Sequence, residues 1–89
     1  MREDDGGRSD DGPRRELERL ISLMIDAPEE VDLGVHRQGG NTVFRVQVAD
    51  ADLGKLIGRQ GRTARAVRTL LDVRGAEDGR RYAFEIRES

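Results

Sequence analysis

Residues 53–68 read Leu53-Gly54-Lys55-Leu56-Ile57-Gly58-Arg59-Gln60-Gly61-Arg62-Thr63-Ala64-Arg65-Ala66-Val67-Arg68. Gly58 and Gly61 bracket Arg59 and Gln60, with an apolar shoulder before the pair and an arginine-rich run after it. Such a stretch predicts a short helix, a four-residue break and a second helix. Glycine takes positive φ at no steric cost and lets another backbone approach closely. Asp50 or Asp52 suits the N-cap of the first helix, which runs through Ile57. The second helix is expected over residues 62–72, with Gly75 as its stop. At helical spacing Ala64, Val67, Leu70 and Leu71 cluster on one side, to face a sheet. Arg62 and Arg65 fall opposite them and Arg68 on the flank. A helix packed by one face, with arginines near its first turn, suits an anion, and its dipole and free N–H groups add to the attraction.

Charge along the chain supports the same focus. The formal net charge is −2, and all 16 basic residues except Lys55 are arginine, the side chain that grips phosphate in two-pronged fashion. Over residues 55–74, Lys55, Arg59, Arg62, Arg65, Arg68 and Arg74 face only Asp72. Over residues 1–13 the sign reverses, with Glu3, Asp4, Asp5, Asp10 and Asp11 against Arg2 and Arg8. A partner feels the local field, so the whole-chain charge is the wrong statistic.

Outward from the glycine pair, the remaining elements follow from periodicity. Residues 1–13 hold no aliphatic residue after Met1, cannot offset the entropy of ordering, and are expected to be a disordered acidic tail. The folded domain is then residues 14–89, with Pro13 near the start of its first helix. Leu17, Leu20, Ile21 and Met24 recur at the spacing of one helix face, and Pro28 ends that segment. Val31, Leu33 and Val35 alternate with polar or small residues as a strand. Gln38-Gly39-Gly40-Asn41 is a turn, and Phe44, Val46 and Val48 mark the returning strand of a hairpin. After Glu77-Asp78-Gly79, Tyr82, Phe84 and Ile86 mark a last strand. The order is α-β-β-α-α-β, an α+β domain with a three-stranded sheet and three helices on one face.

Leu56-Ile57-Gly58-Arg59-Gln60-Gly61-Arg62-Thr63-Ala64 strongly resembles the signature of the KH domain, whose Gly-x-x-Gly loop clamps about four nucleotides of single-stranded nucleic acid. The element order resembles the type II, prokaryotic form. From about Arg14 to Glu88 the chain is similar to the KhpA family of small bacterial single-KH proteins, with the best match over residues 53–68. That resemblance implies an RNA-binding protein, an RNA chaperone or post-transcriptional regulator that pairs with a larger KhpB (Jag)-type KH protein or with itself. It also implies a link to cell elongation and cell-envelope homeostasis. The residues it points to are Lys55, Ile57, Gly58, Arg59, Gln60, Gly61, Arg62 and Arg65. The acidic stretch 1–13 lies outside the match.

Other classes fit poorly. Eighty-nine residues make one small domain, without room for a deep two-lobed active site. Without cysteine there is no disulfide, thiolate metal site or thiol nucleophile, and one histidine, His36, cannot build a multi-histidine centre. A P-loop is absent, because Gly54-Lys55 is followed by Leu56, and no nucleophile with a matched base is visible, so neither catalysis nor a cofactor is expected. No apolar run reaches the roughly 18 residues of a membrane span and no signal-peptide core follows Met1, so a soluble, cytoplasmic protein is expected. Phe44, Tyr82 and Phe84 occupy core positions, which disfavours an RRM, where sheet aromatics stack on bases. The competing reading is a protein-interaction adaptor without RNA affinity of its own, since Leu23 and Ile25 widen the apolar face of the first helix.

Overall fold

Leu17 and Ile21, with Ile25 just beyond the helix end, form one buried stripe along the first helix, α1 (Asp5–Met24). The computed structural model describes residues 5–88, and side chains from Asp10 onward. Residues 1–4 of the expected tail lie outside the described residues. α1 starts well before Arg14, with Pro13 inside it and buried. The missing proline N–H removes one intrahelical bond. What holds this first part is charge: Asp10, 7% exposed, accepts from Arg37 at 2.8 Å and Arg80 at 3.1 Å. Such long-range ion pairs leave no mark in apolar periodicity, which is why residues 10–13 read as tail.

The strands β1 (Asp32–Gln38) and β2 (Asn41–Gln47) pair antiparallel around Gly39-Gly40, setting Leu33 opposite Val46 and Val35 opposite Phe44. β3 (Arg81–Ile86) pairs parallel with β2, Phe84 beside Phe44, and the sheet order is β1-β2-β3. A parallel partner needs a crossover connection. Here the crossover is α2 (Leu53–Ile57) and α3 (Arg62–Asp78). Together with α1 these helices cover the sheet face that carries Phe44, Val46 and Phe84, all at most 5% exposed. The ring of Tyr82 meets Phe44 edge-on at 5.2 Å, so the three aromatics are core. The result is the α-β-β-α-α-β arrangement of a type II KH domain.

Three local expectations are corrected. Gly75 does not stop α3; it lies buried in the helix against the Arg80 carbonyl, which an added Cβ would meet at 2.7 Å. The stop is Gly79, in left-handed geometry, with Arg80 N–H donating to Gly75 O at 2.8 Å and Gly79 N–H to Ala76 O at 3.4 Å. Leu70 is 56% exposed, because Ala64, Val67, Leu71 and Gly75 set the inward direction, and Leu70 falls about 100° from its centre. Asp52 occupies the N-cap position of α2 without a capping bond. Its carboxylate, 2% exposed, instead accepts the N–H groups of Asp26 at 3.1 Å and Ala27 at 2.9 Å. That contact ties the chain leaving α1 to the start of α2.

Candidate functional site

The connection between α2 and α3 holds its shape through backbone geometry. Gly58 has φ 81° and ψ 165°, a combination reached essentially by glycine alone. Gln60 has φ 56° and Gly61 φ 72°, so three of the four turn residues have positive φ. Gly58 also allows the first turn of α3 to close over it: an added Cβ would stand 2.3 Å from Thr63 Oγ1 and 2.7 Å from Thr63 N. At Gly61 the nearest atom to such a Cβ would be Arg65 Nη1 at 4.0 Å, so conformation alone calls for glycine there.

Not every amide in this turn is open. Gly58 N–H donates to Gly54 O at 2.8 Å, Gly61 N–H to Gly58 O at 3.0 Å, and Arg62 N–H to Arg59 O. The amides of Arg59 and Gln60 have no backbone acceptor among the described residues. Both residues are exposed, and the Arg59 side chain makes no ion pair or hydrogen bond among the described residues. The tip therefore offers two N–H groups and one guanidinium to an outside acceptor.

Around the tip the expected residues divide. Arg62 and Arg65 are exposed on the first turn of α3, Arg62 within 3.4 Å of Gln60 Oε1. Ile57 is half-buried beside the turn, while Leu56 is fully buried core. Lys55 is drawn elsewhere: its ammonium pairs with Asp26 and lies 3.9 Å from Asp52. The hydrogen bond it donates to Asp26, together with both carboxylate fields, raises its pKa against the opposing desolvation. Lys55 thus links α2 to the end of α1. Asp26 is far from Lys55 in sequence, and no local pattern announces the pair. The guanidinium of Arg68 lies over the Phe84 ring, 5.9 Å from its centre, where α3 meets β3.

This arrangement can hold an anionic backbone close to a bare turn, with cations on one side and an apolar shoulder on the other. Among the described residues no group of His, Asp or Glu side chains could hold a metal ion, and no helix is long and apolar enough to cross a membrane.

Comparison with known proteins places the site in context. A family model described as KhpA/KhpB, KH domain matches residues 14–86, including the whole turn. The chain is similar to the RNA-binding protein KhpA of Streptomyces coelicolor, 44% identical over 70 residues, or 79% of this chain and 85% of the relative. It is 41% identical over 73 residues to the RNA-binding protein KhpA of Chlamydia trachomatis, covering 81% of this chain and 92% of the relative. The RNA-binding protein KhpA of Borreliella burgdorferi is 40% identical over 70 residues, 79% of this chain and 85% of the relative. No solved structure gives a significant match.

Proposed function

Because the chain belongs to the KhpA/KhpB KH-domain family, we propose that it binds single-stranded RNA at the turn between α2 and α3. The observation that carries the proposal is the exposed tip, where Arg59 and Gln60 keep their amides without backbone acceptors and Arg59 keeps its guanidinium unpaired among the described residues. Gly58 and Gly61 let a sugar-phosphate chain approach, Arg59, Gln60, Arg62 and Arg65 hold phosphate and ribose, and Ile57 supports a neighbouring base. Lys55 acts from behind, by keeping α2 in place. Relatives named RNA-binding proteins, matched over most of their length, support the ligand class. Few phosphates are neutralised, so affinity is weak and salt-dependent, with a slope of about −0.7 per phosphate contact on a single strand.

On the family resemblance we assign the chain to RNA chaperoning or post-transcriptional regulation in the cytoplasm, in support of cell elongation and cell-envelope homeostasis. A partner, either a KhpB (Jag)-type protein or a second copy, fits the α1/α3 side. There a groove of about 310 Å³ is lined by Pro13, Leu20, Leu70 and Val73. Leu70 and Val73 are more than half exposed, as is Leu23 one turn along α1 from Leu20. One weak module gains from being doubled, because a second contact raises the effective concentration of the first.

The test is Arg59→Asp combined with Gln60→Asp. Both side chains are exposed, so the fold persists while like charge repels phosphate. Loss of binding to a mixed RNA pool, with a retained circular dichroism spectrum, is expected. Unchanged binding would show that the turn is not the site, whereas absence of RNA binding by the unaltered protein would favour the adaptor reading.

A further inference from the structure

Arg68 is held in a way that the arginines nearer the turn are not. Its guanidinium lies over the Phe84 ring, 5.9 Å from the centroid. Phe84 is 5% exposed, whereas Arg68 is an exposed residue, so the guanidinium sits between a buried ring and solvent. The side chain makes no ion pair or hydrogen bond among the described residues, and all five of its N–H donors are unclaimed. Resting on a ring restrains a long side chain, so less freedom is lost when it binds a ligand. Neither Arg62 nor Arg65 has such a support among the described residues.

The position is within reach of a strand held at the turn. Arg62, Arg65 and Arg68 recur at every third residue of α3, each about 4.5 Å further along the axis. The row begins at the turn itself. Arg62 lies 3.4 Å from Gln60 Oε1, and Arg65 Nη1 is the atom nearest to where a Cβ on Gly61 would stand. It slants around the helix and ends over β3, with Arg68 about 9 Å along the axis from Arg62. Three steps of a stacked strand, at roughly 3.4 Å each, cover about 10 Å. Arg68 therefore falls inside the footprint of about four nucleotides that a Gly-x-x-Gly turn clamps.

What the guanidinium can hold there follows from its chemistry. It donates and never accepts. A base edge with two neighbouring acceptors matches the fork, namely N7 and O6 of guanine or N3 and O2 of cytosine. Adenine and uracil present no such pair; their edges set an N–H against the guanidinium or leave part of the fork empty. Arg62 and Arg65, next to the tip amides, take the backbone. A base projects sideways from its backbone, so a cation set off from the phosphate contacts meets base edges.

We propose that Arg68 selects the base, reading a cytosine or guanine of the strand held at the Gly58–Gly61 turn through two hydrogen bonds from its guanidinium. This rests on the RNA-binding reading above and adds a base preference to it.

Fluorescence anisotropy with four RNA octamers tests the preference: oligocytidine, alternating guanosine and uridine, oligoadenosine and oligouridine. The unaltered protein is expected to bind one or both of the first two about fivefold or more tighter than the last two. The favoured octamer tells cytosine from guanine, and 7-deazaguanosine, which lacks N7, erases an advantage due to guanine. Arg68→Lys keeps the charge and still covers Phe84 but lacks the fork. It is expected to retain the affinity for oligouridine and the salt slope while the preference disappears. Arg68→Gln, neutral with one donor group and one acceptor, loses the preference too, and circular dichroism checks the fold of both variants. The inference is overturned if the unaltered protein binds all four octamers alike or favours adenosine or uridine. It is equally overturned if Arg68→Lys keeps the preference, or weakens all four octamers by the same factor, as loss of a phosphate grip would. Failure of the underlying reading looks different: the unaltered protein binds none of the octamers, or the Arg59→Asp, Gln60→Asp variant binds them normally.

Discussion

Replacing Gly58 by alanine is expected to damage the fold far more than replacing Gly61, although the two glycines look equivalent in the motif. At Gly58, φ 81° and ψ 165° lie where an L side chain costs about 1–3 kcal/mol. The new Cβ would also stand 2.3 Å from Thr63 Oγ1, 2.7 Å from Thr63 Cβ and 2.7 Å from Thr63 N. Rotating the threonine relieves only the hydroxyl contact. The other two atoms belong to the start of α3, which must shift, and forced movement in a packed structure costs about 1–3 kcal/mol. A combined loss of about 3–4 kcal/mol follows, a large share of the roughly 5–15 kcal/mol that stabilises a domain. At Gly61, φ 72° and ψ 16° are ordinary left-handed values with open space around them, so alanine costs about 1–2 kcal/mol. Urea unfolding followed by circular dichroism resolves the difference. With a slope of about 1.5 kcal/mol per molar, Gly58→Ala lowers the midpoint by about 2 M or more and Gly61→Ala by about 1 M. Equal shifts, or a larger one for Gly61→Ala, would refute the argument that Thr63 closes over Gly58.

Other consequences are open to measurement. The Asp52 carboxyl is held below the usual aspartate range by the Asp26 amide, then by the Ala27 amide and Lys55, against the opposing effect of burial. Its contribution is present above the ordinary aspartate pKa and lost as pH falls through the lowered one, so Asp52→Asn is destabilising at pH 7 and the gap from the unaltered protein narrows in acid. Urea midpoints at the two pH values check this; a gap independent of pH rejects it. Tyr82, the one tyrosine in the sequence, is pushed up to about 12 by burial and then by its hydrogen bond to Asp78. Stability from that group is complete below the ordinary tyrosine pKa of about 10 and fades as pH rises through about 12. Ultraviolet titration of the phenol should therefore show a high midpoint, lowered in Asp78→Asn. Leu70→Arg should abolish association through the α1/α3 groove with little loss of stability, because Leu70 is 56% exposed. Sedimentation of the protein alone and with a KhpB-type partner reads the effect, and unchanged association with both would remove this face from consideration.

What the linear order of residues determined by itself was the set of elements and their sequence. Alternation at Leu33 and Val35, and at Phe44, Val46 and Tyr82, Phe84, Ile86, fits strands with one buried face, and the i, i+3, i+4, i+7 spacing of Leu17, Leu20, Ile21 and Met24 fits one face of a helix. The glycine pair was equally legible, because positive φ is a local demand and glycine meets it locally. Tertiary structure decided whatever depended on residues far apart. Lys55 and Arg59 read alike as cations near a loop, yet Asp26 claims the lysine and no described residue claims the arginine. Asp52 has the spacing of a cap but satisfies amides beyond α1 instead. The stretch before Pro13 lacks the apolar residues that announce order, and Asp10 nevertheless fastens it to Arg37 and Arg80. Periodicity records what a residue does for its own element. Ion pairs and buried hydrogen bonds are set by which elements meet in space, and they choose which of several similar charges remain available to a ligand.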